Sequence, residues 1–337
     1  MKVLVTGGAG YIGSIVTSEL LKAGNEVVVY DNLSTGNRAA VLPEAELVMG
    51  DIADRDKLDK LMSSHRFDGV MHFAALIEAG ESMKVPAQFF RNNTSNTLTL
   101  LEAMLDHGID RFVFSSTAAL YGNPERTPIE EDDRLRPTNP YGESKLLVEQ
   151  MLNWLNQIHG FKYACLRYFN AAGAIKELGQ DHHPESHLIP LILQVPLGKR
   201  KEIAVYGTDY DTPDGTCVRD YIHIVDLASA HILSLQALEK RSKLIYNLGT
   251  GTGFTVRQVV DVARRVTGHP IPLVETPRRP GDPAVLIASS ERIRRELGWK
   301  PKYPDLEAII ASEWEWFSNH PKGYADVSER VALPVGA

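Results

Sequence analysis

Short apolar runs alternate with helical patterns through the first half of the chain. Val3–Thr6 reads as a strand, followed by a glycine cluster and a helix from Tyr11 to about Ala23. Glu26–Tyr30, Glu46–Met49 and Gly69–Phe73 read as the next three strands, and Pro86 to about His107 has helical apolar spacing. Arg111–Ser115 predicts a fifth strand, Pro140–His159 a helix and Tyr163–Tyr168 a sixth strand. Strands that are apolar throughout, rather than alternating, are covered on both faces. With helices between them they predict an α/β protein built on a Rossmann-type, doubly wound parallel sheet.

The pattern changes after Asn170. Ala171–Gly215 is loop-rich, with His182-His183-Pro184 inside it. Helices are expected near Val225–Ala237, Val256–Val266, Ser290–Leu297 and Leu306–Asn319, and a strand at Leu244–Leu248. No Ser/Pro-rich linker separates the halves. The expected organisation is a nucleotide-binding domain over 1–170, joined to a smaller α/β lobe over 171–337. A segment near 217–250 is expected to return to the first domain. The tail Val327–Ala337 has no strong pattern and is expected to be mobile.

The 337 residues fit one large domain or two closely joined ones. The formal net charge of −7 argues against nucleic acid or an anionic membrane as the main partner. An anionic ligand must then be held by a few placed cations and by backbone amides. Two cysteines, Cys165 and Cys217, are too few for a disulfide framework, and no CxxC pair suggests a metal. The first apolar run is too short for a signal peptide, and no stretch reaches membrane-spanning length, so the cytoplasm is the expected location.

Gly7, Gly10 and Gly13 form Gly-x-x-Gly-x-x-Gly between the first strand and the first helix. Without side chains the backbone there turns tightly and approaches a pyrophosphate, whose charge the helix N-terminus favours. Asp31 closes the second strand, 18 residues after Gly13. A carboxylate there accepts the ribose hydroxyls of an adenosine and repels a 2′-phosphate, which points to NAD rather than NADP. Arg38 lies further along the loop and is the one cation placed to soften that preference. Asp51 and Ile52 end the third strand, where they can border the adenine.

Tyr141 and Lys145 stand four apart at the start of a helix, on one face. A neighbouring ammonium is expected to lower the tyrosine pKa and make the phenol a usable base. Phe114-Ser-Ser-Thr117 ends the fifth strand, at the edge where α/β sheets bind ligands. The Thr117 hydroxyl can there hydrogen-bond a reacting oxygen.

Together these elements resemble the extended short-chain dehydrogenase/reductase superfamily. The similarity is to its UDP-glucose 4-epimerase family from about Lys2 to Tyr324. It is carried also by His72-Phe-Ala-Ala, Asn92-Asn93, Leu166-Arg-Tyr-Phe-Asn-Ala-Ala-Gly-Ala174, Asp214–His223, Tyr246-Asn-Leu-Gly249 and Arg278-Arg-Pro-Gly-Asp282. The resemblance implies a catalytic triad of Thr117, Tyr141 and Lys145. It implies NAD contacts from Gly7, Gly10, Tyr11, Ile12, Gly13, Asp31, Asn32, Asp51, Ile52, Phe73, Ala74, Asn92, Tyr141, Lys145 and Tyr168. A UDP-hexose would be held by Thr117, Asn170, His187, Leu188, Ala204, Tyr206, Arg219, Arg279 and Asp282. Leu286 would bound the pocket near the sugar C2 group.

Three positions depart from the family pattern. Thr117 stands where serine is frequent, His187 where asparagine is frequent, and Ile77 where many members carry a lysine aimed at the cofactor pyrophosphate. The implied activity is C4 epimerisation of UDP-glucose and UDP-galactose with tightly held NAD, with weaker action on the N-acetylhexosamine pair. A homodimer through Pro86–His107 and Pro140–His159 is implied as well. The alternatives are a nucleotide-sugar 4,6-dehydratase, a uronate decarboxylase or another UDP-sugar epimerase of the superfamily, and a non-catalytic NAD-sensing regulator. A dehydratase has an acidic pair after the catalytic threonine, where this chain has Ala118-Ala119. A sensor has no need of Tyr141 and Lys145. His182 and His183 show no third ligand at metal spacing, so a solvated loop without a metal is expected there.

Overall fold

The computed structural model describes residues 1–279 and 282–325. The tail beyond Ala325, and Pro280 and Gly281 of the Arg278–Asp282 segment, lie outside the described residues. The chain begins with β1 (Lys2–Thr6), α1 (Tyr11–Lys22), β2 (Glu26–Asp31), β3 (Glu46–Met49), α2 (Arg55–Ser64) and β4 (Gly69–His72). The short α3 (Ala79–Ser82) leads to a helix that runs as α4 (Pro86–Phe89), a π-turn (Phe90–Ser95) and α5 (Asn96–Asp106). Then come β5 (Arg111–Ser115), α6 (Pro140–His159) and β6 (Lys162–Tyr168).

The second half holds β7 (Asn170–Ala172), α7 (Leu188–Leu193), β8 (Ile203–Tyr206), β9 (Val218–His223), α8 (Ile224–Ala237) and β10 (Lys243–Leu248). It closes with β11 (Gly253–Thr255), α9 (Val256–Thr267), β12 (Leu273–Thr276), β13 (Val285–Leu286), α10 (Glu291–Leu297) and α11 (Leu306–Asn319).

Seven parallel strands form the large sheet in the order β3-β2-β1-β4-β5-β6-β10. Successive residues of a strand point to opposite faces. Val3 and Val5 accordingly pack into the core with Ile15 and Ile224, while Leu4 packs into the other with Leu100 and Val148. Both faces are covered, which is why these strands carry no polar alternation. The strand order reverses between β1 and β4, and such a switch point opens a crevice at the carboxyl ends of the strands.

Several stretches differ from the sequence expectation. The single helix expected over Pro86–His107 contains the π-turn, which apolar spacing alone does not reveal. The loop-rich stretch 171–215 contains β7, α7 and β8. β7 and β13 pair parallel with β9, β11 pairs antiparallel with it, and β8 pairs with β12. These strands are three to six residues or shorter, and their partners are distant in sequence. α2 was not expected; its polar sequence buries only Leu58, Leu61 and Met62, and Asp54 caps it by accepting from the Lys57 amide.

Candidate active site

A cavity of about 430 Å³ opens at the switch point. Its first wall is backbone. Gly7 has φ +75°, and a Cβ added there would stand 2.5 Å from the Ala74 nitrogen. A Cβ on Gly13 would stand 2.2 Å from the Gly7 carbonyl oxygen. The N-cap of α1 is Gly10, with no side-chain cap and no acidic residue in the first turn. The leading amides of a 12-residue helix thus keep their capacity for an anion from outside.

Asp31 lies at the end of β2. Its two carboxylate oxygens accept from the Ala9 amide at 2.9 Å and the Leu33 amide at 2.8 Å. Each oxygen has a second lone pair, so the group can still accept from a ribose. Asn32 donates to Asp51 at 2.7 Å, which ties the rims of β2 and β3 together. Arg38 is not among the residues lining the cavity.

Tyr141 and Lys145 reach the floor of the cavity from α6. Asn139 caps this helix by accepting from the Gly142 amide at 2.9 Å, and Pro140 occupies its first turn. The Tyr141 hydroxyl is hydrogen-bonded to Thr117, whose Oγ1 also accepts from the Ala119 amide at 3.1 Å. Lys145 Nζ donates to the Ser115 carbonyl at 2.9 Å and lies 4.8 Å from the centre of the Phe114 ring. Burial pushes the ammonium down to about 7.

Tyr141 behaves differently from the expectation. Burial raises its pKa, the Thr117 hydrogen bond lowers it and the Glu78 carboxylate raises it again. Lys145 is not among these influences. Behind the floor, Glu149 accepts from Ser116 Oγ at 2.6 Å and from Arg167 through two bonds of 3.0 and 2.6 Å. Both charged groups are buried; the bidentate pair fixes α6 against β6, and the Ser116 bond fixes it against the strand end that leads to Thr117.

All the cofactor residues expected from the resemblance line this one cavity: Gly7, Gly10, Tyr11, Ile12, Gly13, Asp31, Asn32, Asp51, Ile52, Phe73, Ala74, Asn92, Tyr141, Lys145 and Tyr168. Of the expected sugar-nucleotide residues, Thr117, Asn170 and His187 line it. Leu188 (α7), Ala204 and Tyr206 (β8), Arg219 (β9), Arg279, Asp282 and Leu286 (β13) do not. Arg279 stacks 3.9 Å from the centre of the Tyr206 ring, and Arg219 donates to Asp282 at 2.5 Å. Leu286 pairs in register with Arg219. Tyr206, Arg279, Asp282, Arg219 and Leu286 thus form a second cluster, away from the cavity's lining.

Sequence reasoning missed Glu78, which lines the cavity and acts on Tyr141. Its only sequence signal is its place beside Ile77. The reading of His182 as part of a solvated loop is corrected: His182 lines the cavity, and burial lowers its pKa. Its neighbour His183 is the exposed one, with 84% of its side chain accessible. Tyr11 donates to the Gly173 carbonyl at 2.5 Å, and the Gly173 amide donates to Glu313 at 3.0 Å. Glu313 is fully buried, its other oxygen has no partner among the described residues, and burial pushes its carboxyl up to about 8.

Residues 3–249 match the model of the NAD dependent epimerase/dehydratase family. The chain is 55% identical to a UDP-glucose 4-epimerase of Streptomyces lividans over 96% of its own length and 98% of that protein's. It superposes on a UDP-glucose 4-epimerase from Brucella ovis, solved in complex with NAD, with a TM-score of 0.91 and 44% identity. That match covers 94% of this chain and 98% of the other. A UDP-glucose 4-epimerase from Bifidobacterium longum, solved in complex with NAD+ and UDP, gives a TM-score of 0.92 at 39% identity, covering 96% of this chain and 100% of that one.

Proposed function

The chain belongs to the NAD-dependent epimerase/dehydratase family, and we propose that it interconverts UDP-glucose and UDP-galactose by inverting C4 of the hexose. The observation that carries this reading is the placement of Tyr141, hydrogen-bonded to Thr117, in the same cavity as the glycine turn. The donor set fits NAD: the Gly7–Gly13 turn leaves no room for side chains, α1 is uncapped, and Asp31 stands at the ribose position. Bound NAD would supply the acceptor, and then the donor, of the C4 hydride.

The protein's own groups handle the proton and the orientation. Thr117 and Tyr141 bind the C4 hydroxyl, and Tyr141 takes its proton as the 4-keto sugar forms. Lys145 donates to a ribose hydroxyl from its place under Phe114. The second cluster keeps hold of the UDP, with Arg219 and Arg279 on the diphosphate and Leu188, Ala204 and Tyr206 around the nucleoside. The sugar is then free to turn and present its other face, and Tyr141 returns the proton. Binding energy from the nucleotide thereby holds a group that must itself stay loose. With Ile77 in place of a lysine, the cofactor pyrophosphate depends on the backbone amides of the glycine turn.

The functional division follows the chain: 1–170 for NAD, with the segment near 217–250 rejoining it, and 171–337 for the UDP-hexose. The 4,6-dehydratase reading lacks an acid beside Thr117, where Ala118 and Ala119 stand. Among the described residues no helix is long and apolar enough to cross a membrane, in keeping with a cytoplasmic site of action. Trp154 and Ile158 on α6 are 61% and 68% exposed, and Leu98 on α5 is exposed as well, which supports a homodimer through these helices. Light scattering at micromolar concentration tests the dimer.

The deciding experiment incubates purified protein with UDP-galactose, adds no coenzyme and identifies the hexose released by acid. Glucose is the expected product, and its absence with NAD still bound would end the reading. Denaturing the same sample is expected to release NAD rather than NADP.

A further inference from the structure

Gln180, His182, Glu185 and His187 meet in the loop between β7 and α7. Gln180 is 1% exposed. Its Nε2 lies 3.2 Å from His182 Nδ1, 3.0 and 2.9 Å from the two Glu185 oxygens, and 2.8 Å from His187 Nδ1. An amide nitrogen carries two protons and can serve two of these four acceptors at once. Glu185 Oε1 also accepts from the Ser186 and His187 amides, each at 2.8 Å, and lies 2.9 Å from His187 Nδ1. Two imidazole nitrogens and both oxygens of a carboxylate nonetheless converge on one point, held at present by a single amide nitrogen.

A cation with several coordination positions can engage them together. The donor atoms of His182, Glu185 and His187 all lie within 4.8 Å of one another. Small side-chain rotations bring each to about 2.0–2.2 Å from one ion, the usual distance of nitrogen and oxygen ligands from zinc. A set of two nitrogens and a carboxylate suits zinc and its transition-metal neighbours, whereas Mg2+ and Ca2+ take oxygen ligands. The cavity side of the cluster leaves positions open, since His182 and His187 both line the pocket that holds Tyr141 and Lys145.

We propose that His182, Glu185 and His187 bind a divalent transition-metal ion such as Zn2+, which takes the point now filled by the Gln180 amide nitrogen. Filling the site engages His187 and narrows the cavity, so it inhibits turnover reversibly. The inhibition rests on the proposed epimerase activity; the binding does not.

The test uses tag-free, full-length protein with its NAD retained, treated with EDTA and titrated with CoCl2. Visible absorption bands of tetrahedral cobalt should rise to about one ion per chain, and ZnCl2 should quench them. His182→Ala and His187→Ala should each weaken Co2+ binding at least about 10-fold. His183→Ala, which alters the exposed neighbour, should bind as the wild type does. Retained NAD in each variant reports that the chain is folded. In a parallel assay, Zn2+ should raise the KM for UDP-galactose and EDTA should restore it. Absence of cobalt bands in the wild type, unchanged binding in His182→Ala, or equal loss in His183→Ala would overturn the site. Cobalt bands without any change in turnover would refute the inhibition and leave the binding standing.

Discussion

At one end of the cavity the wall is a turn of glycines between β1 and α1, and its ligand-facing groups are amides. The proposed substrate wall lies beyond the cavity's lining and is made of Arg219, Arg279, Asp282 and Tyr206, already paired with one another. The first wall has its geometry before any ligand arrives, because a side chain at Gly7 or Gly13 has nowhere to go. On the proposed function, the second exchanges the Arg219–Asp282 pair and the Arg279–Tyr206 stack for contacts to a diphosphate. A preformed wall suits a cofactor that stays, and an exchangeable one suits a substrate that leaves.

The sharpest way to separate the walls is to disable the floor between them. Tyr141→Phe should lower kcat by at least ~100-fold while UDP-sugar binding and retained NAD stay near normal, as read by turnover and calorimetry. Lys145→Met should lose a similar factor and also release NAD during gel filtration. Near-normal turnover of Tyr141→Phe would remove the phenol from its role.

Arg219→Ala probes the exchangeable wall. It should raise the KM for UDP-galactose about 10-fold, because a charge-assisted contact to the diphosphate is lost, with retained NAD unchanged. Loss of NAD as well would mean that the two walls are not independent.

Leu286→Tyr acts on the same wall through volume. It should lower kcat/KM for the UDP-N-acetylhexosamine pair several-fold and spare the glucose pair, since it fills space that only the larger sugar needs. An unchanged ratio would show that Leu286 does not gate the pocket.

The smallest effect concerns the Tyr11–Gly173–Glu313 chain that ties α1 to α11. Glu313 is held at about 8 against an ordinary 4.5. The folded state therefore keeps a proton that the unfolded chain gives up. Its contribution to stability is full below pH 4.5 and falls as pH rises through about 8. Glu313→Gln keeps an acceptor for the Gly173 amide and removes the titration. Thermal melts should show the variant gaining on the wild type between pH 6 and 9, in the direction set by that proton. Parallel curves would show that Glu313 is not the group responsible.

How far the sequence could be read follows the same division. Runs such as Val27-Val-Val-Tyr30 declare a strand covered on both faces, and the glycine turn declares its function through its own neighbours. Most cofactor contacts sit at the ends of such strands, so locating the strands locates them. β9 was not legible because Arg219, Asp220 and His223 interrupt any apolar pattern. Asp220 is nonetheless buried, since the Thr250, Gly251 and Ala288 amides and the Thr250 hydroxyl donate to it. Those donors lie 30 to 68 residues away. The sequence shows no third ligand at metal spacing beside His182 and His183, because Glu185 and His187 meet His182 only in the folded loop, around buried Gln180.

The π-turn at Phe90–Ser95 has a consequence for the rod it interrupts. An α-helix repeats its outward directions every 3.6 residues, and a π-turn inserts one residue, about 100° of rotation. Within the turn, Asn92 faces the cavity, and Asn93 grips the Leu76 amide and carbonyl, each at 2.9 Å. Beyond it, Leu100, Leu101 and Met104 fill the core. Two patterns with different phases are thus joined on one axis. Deleting a single residue here would wind the turn closed, and no roll of the helix could then satisfy both patterns at once. Register, more than side-chain chemistry, is what this turn holds fixed.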